Sequence, residues 1–137
     1  MTERELVQIL RTAGNVREEY DQDYERILRL KSLMTKVTTS YSASPGGGGT
    51  NDKLTNQYCA LEELEEHCRD RQAAYASALK QVTDIIELAE TTEQRKVLKA
   101  KYIDCMKWDD IAILVCYSNM HCHRIHDAAL KIIAAKL

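Results

Sequence analysis

The stretch that decides the fold is TEQRKVLKAKYIDCMKWDDIAILVCYSNMHCHRIHDAALKIIAAKL, residues 92–137. It separates into three short amphipathic pieces. Val97, Leu98, Tyr102 and Ile103 mark the first, and Trp108, Ile111, Ala112, Leu114 and Val115 mark the second. Cys122, Ile125, Ala129, Leu130 and Ile133 mark the third. Steps of three and four residues put each set on one side of a helix. Only Cys116-Tyr117-Ser118 separates the second piece from the third, and Ser118 is placed to cap the third helix. Helices joined by so short a turn cross steeply, which leaves one face of the last helix free in the manner of a helix-turn-helix.

Upstream, Leu6, Leu10, Ala13, Tyr20, Tyr24, Ile27, Leu30, Met34 and Val37 repeat at helical spacing from Thr2 to about Thr38, with Gly14-Asn15 marking a kink or break. Thr38–Asp52, TTSYSASPGGGGTND, places four Gly after Ser-Pro and predicts a flexible Gly-rich loop over about residues 39–52. From Lys53 to about Glu90 a second helical stripe runs through Leu54, Tyr58, Leu61, Leu64, Cys68, Tyr75, Leu79, Val82, Ile86 and Ala89, with coiled-coil-like steps. Two long helices joined by a loop fold back on each other to cover their apolar stripes. Thr91-Thr92 with Glu93 predicts a helix start. The expected fold is therefore all-α: a long helical hairpin over residues 1–91, then a three-helix helix-turn-helix module over residues 92–137.

The 137 residues include one Pro and no Phe, and no long segment alternates with period two, which argues against strands. No apolar run approaches the roughly 18 residues needed to cross a bilayer, so no membrane association is expected. The start MTERELVQ is charged from its third residue and does not read as a secretory signal. Five Cys without a disulfide-like spacing fit free thiols in a reducing cytoplasm. Overall charge is −2, but its distribution is uneven. Residues 51–91 carry four Lys/Arg against nine Asp/Glu, and residues 92–137 carry eight against five. The basic excess thus falls on the module that would meet DNA.

With Cys122, Ile125, Ala129 and Ile133 turned inward, Ser118, Asn119, Met120, His121, His123, Arg124 and Asp127 remain for the outer surface of the last helix. Asn suits adenine, and Arg suits guanine or phosphate. Lys99, Lys107 and Lys131, with Lys96 and Lys101, suit phosphates. Cys116, His121, Cys122, His123 and His126 lie close in sequence, yet they lack the spacing of a zinc site, so no metal or other cofactor is expected. Trp108 reads as core, and His126 as a packed, hydrogen-bonded histidine. Glu62, Glu63, Glu65 and Glu66 read as a solvated helix face. No phosphate-cradling Gly loop after a strand and no nucleophile motif is present, so the sequence does not read as an enzyme.

Residues 101–130, KYIDCMKWDDIAILVCYSNMHCHRIHDAAL, resemble the pattern R-Y-i-x-g-x-s-W-x-x-I-A-x-x-L-g-y-S-x-x-x-v-x-r-i-H-x-x-A-L. Tyr102, Ile103, Trp108, Ile111, Ala112, Tyr117, Ser118, Arg124, Ile125, His126, Ala129 and Leu130 match it. Residues 34–54, MTKVTTSYSASPGGGGTNDKL, are similar to the Thr-, Tyr- and Pro-Gly-rich loop of the same proteins. These are phage and prophage proteins with a C-terminal module like sigma-factor region 4, including the RinA- and ArpU-like regulators. The resemblance, over roughly residues 25–133, implies control of phage transcription in the cytoplasm of a bacterial host. The expected partners are double-stranded DNA, RNA polymerase and, from the long apolar stripe, a second copy of the chain in a homodimer. A phage DNA-packaging protein using the same module and a protein-interaction or anti-host factor with a degenerate module are the alternatives. The chain departs from the pattern at Cys116, where Gly is usual and a positive φ would strain any other residue. It departs again at Lys107, a poor helix cap, and at Cys122, which can pack as a small apolar residue.

Overall fold

The computed structural model describes residues 1–43 and 48–137, with side chains described outside residues 37–52. Every regular element among the described residues is helical: α1 (Glu3–Ala43), α2 (Gly48–Ile86), α3 (Thr92–Leu98), α4 (Trp108–Val115) and α5 (Asn119–Lys136). A single π-helical turn, Lys99–Ile103, continues α3. The chain forms two compact units, residues 1–16 with 74–137, and residues 17–73.

In the first unit, Thr2 and Glu5 cap α1 reciprocally. The Glu5 amide donates to Thr2 Oγ1 at 3.3 Å, and the Thr2 nitrogen donates to Glu5 Oε2 at 2.9 Å. Leu6, Leu10 and Ala13, spaced for one helix face, pack with Val82, Ile86 and Ala89 and with Leu98, Tyr102, Ala129, Leu130 and Ile133 in one buried cluster. Burying a Leu or Ile side chain in such a cluster contributes about 1.5–3 kcal/mol. The unit thus runs across residue 91, joining the start of α1 and the end of α2 to the C-terminal helices. Residue 91 still marks a helix start: Thr91 is the N-cap of α3, and its capping partner is the buried Gln94.

Gly14 does not break α1, which is helical on both sides of it. A Cβ at Gly14 would sit 3.1 Å from Cys105 Sγ, so the position is tight because the loop after the π turn passes close by. Cys105 itself takes a left-handed backbone, φ 54°. Helical backbone also enters the loop expected over Thr38–Asp52, because α1 continues to Ala43 and α2 begins at Gly48. Extending a formed helix fixes one residue per added hydrogen bond, so a long helix can run into weakly helical sequence. The rest of that expected loop, residues 44–47, lies outside the described residues.

In the second unit, α1 and α2 run antiparallel. Asp23 is buried and forms an ion pair with Arg71, Oδ2 to Nε 2.7 Å, while Lys31 lies 3.5 Å from Glu65. Arg71 also pairs with Glu19. A buried carboxylate left without a counter-charge is costly, so Asp23 and its half-exposed partner Arg71 favour this register of the two helices. The buried apolar side chains described in this unit are Ile27, Met34 and Cys68.

Candidate nucleic-acid interface

Lys107 is the N-cap of α4, and its side chain makes no capping bond. Asp109 and Asp110 in the first turn offset this electrostatically. The helix ends at Cys116 in the left-handed conformation, φ 59° and ψ 37°. Tyr117 N returns to Ala112 O at 3.1 Å, and Ser118 Oγ accepts from His121 N at 3.2 Å to start α5. The connection is the three residues Cys116–Ser118, as the spacing predicted. Ile111 of α4 meets Cys122 and Ile125 of α5 in a second buried cluster with Val97 and Ala100, and Trp108, Ala112 and Val115 lie at its edge. Leu114, placed by spacing with the apolar stripe of α4, is instead exposed together with Ile113. Two turns of helix have one inward face, and Ile111 and Ala112 already occupy it.

The inward face of α5 consists of Cys122, Ile125, His126, Ala129, Leu130 and Ile133. Burial pushes the Cys122 thiol above its ordinary range, which suits a packing role. Met120, Arg124, Asp127 and Lys131 are all exposed and succeed one another at steps of four, three and four, forming one outward stripe. Met120 Sδ lies 3.6 Å from an Arg124 guanidinium nitrogen. His123 is exposed and stacks on Trp108, centroids 3.9 Å apart, and Lys101 Nζ stands 5.0 Å from the Trp108 ring centre. His121, three residues before Arg124 on the flank of the stripe, meets Tyr117 edge-on at 4.6 Å.

Asn119, Lys99 and Asp127 are each tied to another polar side chain. Asn119 Nδ2 donates to Asp109 Oδ1 at 2.6 Å, tying the first turn of α5 to α4. Lys99 Nζ donates to Glu87 Oε1 at 2.7 Å, and this contact holds the Glu87 carboxyl below its usual range. Asp127 Oδ1 lies 3.0 Å from His126 Nδ1. Lys107 is exposed at the start of α4, beside Trp108. The structure therefore brings Met120, His123, Arg124, Asp127 and Lys131 onto a shared surface. His121 flanks this surface beside Arg124, and Lys99 is held by Glu87 instead.

His126 carries the buried polar contacts behind this surface. Its Nε2 lies 2.7 Å from the Tyr102 hydroxyl, and its ring stands at right angles to Trp108. Burial lowers its pKa below the ordinary histidine value, with the Asp127 hydrogen bond opposing. Among the described residues, no three His, Cys, Asp or Glu side chains gather as metal ligands, and Cys122 is wholly within the core.

One feature of this surface was not read from the sequence. Arg4 and Arg11 of α1 line a cleft with Glu3, Val7, Gln8, His126, Asp127 and Leu130. Their seven-residue spacing shows only that they share a helix face, and nothing local reveals that α5 lies beside it. Neither the family models, the curated proteins nor the solved structures compared with the chain give a match.

Proposed function

We propose that this chain is a sequence-specific DNA-binding regulator of phage transcription, a helix-turn-helix protein that lays α5 in the major groove. The observation that carries this reading is the three-residue connection from left-handed Cys116 to capping Ser118, with α5 leaving Met120, Arg124, Asp127 and Lys131 uncovered. An α-helix fits the major groove, where Arg can pair with guanine and flanking cations meet phosphates. The basic balance of residues 92–137 and the resemblance to sigma-region-4-like phage proteins point the same way.

The hairpin formed by α1 and α2 in residues 17–73 would hold a second copy, because Tyr24, Leu28, Leu33 and Tyr58 stay exposed beside a small apolar seam. A twofold dimer presents two recognition helices to paired half-sites. The exposed Ile113 and Leu114 favour one second reading, a protein-interaction module that contacts a partner such as RNA polymerase through α4.

Binding across a promoter library tests these readings. A defined sequence motif supports the regulator. Sequence-indifferent binding supports a packaging role, and no binding to any duplex supports the interaction module.

A further inference from the structure

We propose that the cleft between the start of α1 and α5 seats backbone phosphates of bound DNA, with Arg4 and Arg11 as the residues that hold them. The proposal rests on α5 being the DNA reader and adds a second element to that interface. Leu6, Leu10 and Ala13 anchor this part of α1 in the buried cluster. The arginine backbones are therefore fixed before any ligand arrives, which lowers the ordering cost of binding. Both side chains are exposed, and among the described residues neither forms an ion pair.

The carboxylate that α5 brings into the cleft is itself engaged. Asp127 is hydrogen-bonded to His126 Nδ1, and the His126 Nε2 contact goes to Tyr102. Val7 and Leu130 supply the apolar part of the lining. Arg124 and Lys131 sit three and four residues from Asp127 on the outward stripe of α5, next to Asp127 but beyond the residues that line the cleft. Within the lining, Arg4 and Arg11 stand against the carboxylates of Glu3 and Asp127, so the positive excess of the wider surface comes from Arg124 and Lys131 on the adjoining stripe of α5. Arg4 and Arg11 lie about 10 Å apart along the helix axis. That is the axial length of about three nucleotides of one strand. DNA lying along α5 would bring one strand's backbone past this cleft. Guanidinium groups suit it, since each can grip two phosphate oxygens.

The test is titration of the full chain with a duplex selected from the promoter library, and with an unrelated duplex, at several salt concentrations. Arg4→Ala/Arg11→Ala should weaken binding to both duplexes on the order of 10- to 100-fold near 0.1 M salt and reduce the salt slope by about two. Arg4→Lys/Arg11→Lys should keep most of the slope, because the charges remain. Thermal unfolding of each variant should match the parent, since both residues are exposed. Unchanged affinity and slope in the alanine variant, with binding still weakened by Asn119→Ala/Arg124→Ala, would overturn the cleft and leave α5 as the reader. Failure of the parent chain to bind any duplex would overturn both.

Discussion

The Tyr102 hydroxyl and His126 Nε2 meet at 2.7 Å across the buried junction of the π turn and α5. One arrangement satisfies every atom: Nδ1–H donates to Asp127, and Nε2 accepts from the tyrosine. The π turn makes this contact by placing Tyr102 inward, next to Leu98, Ala129 and Leu130. Burial in turn pushes the Tyr102 hydroxyl above its ordinary range, with the Arg11 charge opposing, so it remains protonated and able to donate. The polar pair thereby positions α5 from behind while its outer face stays free.

This pair makes stability depend on pH. The folded-state pKa of His126 is depressed, so the unfolded chain binds the proton more tightly. The contribution is fully present above the unfolded histidine pKa of about 6.5, and it is lost as pH falls below that value toward the folded pKa. Urea unfolding should show the parent losing stability between pH 7.5 and 5. His126→Gln should flatten that dependence in the same window. Tyr102→Phe should cost about 1–2 kcal/mol at neutral pH by leaving Nε2 unpaired. Parallel pH profiles for the parent and His126→Gln would show that His126 does not titrate in this way.

Cys116 should be improvable. It holds a left-handed backbone that costs a non-glycine residue about 1–2 kcal/mol, whereas glycine's extra chain entropy costs about 0.5–1 kcal/mol. Its side chain is exposed, with a weak 3.7 Å contact from Sγ to Ile113 O. Cys116→Gly should therefore raise stability by about 0.5–1 kcal/mol in denaturant unfolding. A destabilised Cys116→Gly would mean that the thiol packs more productively than its exposure indicates.

Much of the C-terminal region was legible because its signals are local. Ser118 caps the helix that begins one residue later, and Cys122, Ile125, Ala129 and Ile133 needed only helical spacing to be placed inward. What escaped depended on distant partners. Gly14 has the local signature of a helix breaker, yet α1 runs through it and a distant residue, Cys105, makes the position tight, while apolar Leu114 is exposed because Ile111 fills the inward face of α4. Asn119 was free in sequence but is tied to Asp109, ten residues earlier. The Arg4–Arg11 cleft needed α1 and α5, more than 100 residues apart, to come together.

The hairpin should bring two copies together. Tyr24, Leu28 and Tyr58 are each about half exposed, while the unit of residues 17–73 buries only three apolar side chains among those described. Light scattering of the full chain at tens of micromolar should give a dimer mass, and Tyr24→Glu/Tyr58→Glu should shift it toward monomer with helicity retained. A monomer mass for the parent would leave the DNA reading to a single recognition helix and remove the expectation of paired half-sites.

The Asn119–Asp109 bond should restrain DNA recognition. Pairing with adenine uses both ends of the Asn amide, yet its nitrogen is already 2.6 Å from a carboxylate that would itself repel phosphate. Asp109→Ala should therefore tighten DNA binding, whereas Asn119→Ala should relax the preference at one base position. Arg124→Ala should weaken binding by about 1–3 kcal/mol if its partner is guanine. If Arg124 meets only phosphate, affinity should fall on every sequence and the salt slope by about one. Circular dichroism must match the parent throughout, because Asp109 also favours the start of α4 by its charge. Parent-like binding by Asn119→Ala/Arg124→Ala would remove α5 as the reader and turn attention to the exposed Ile113 and Leu114 as a protein-docking face.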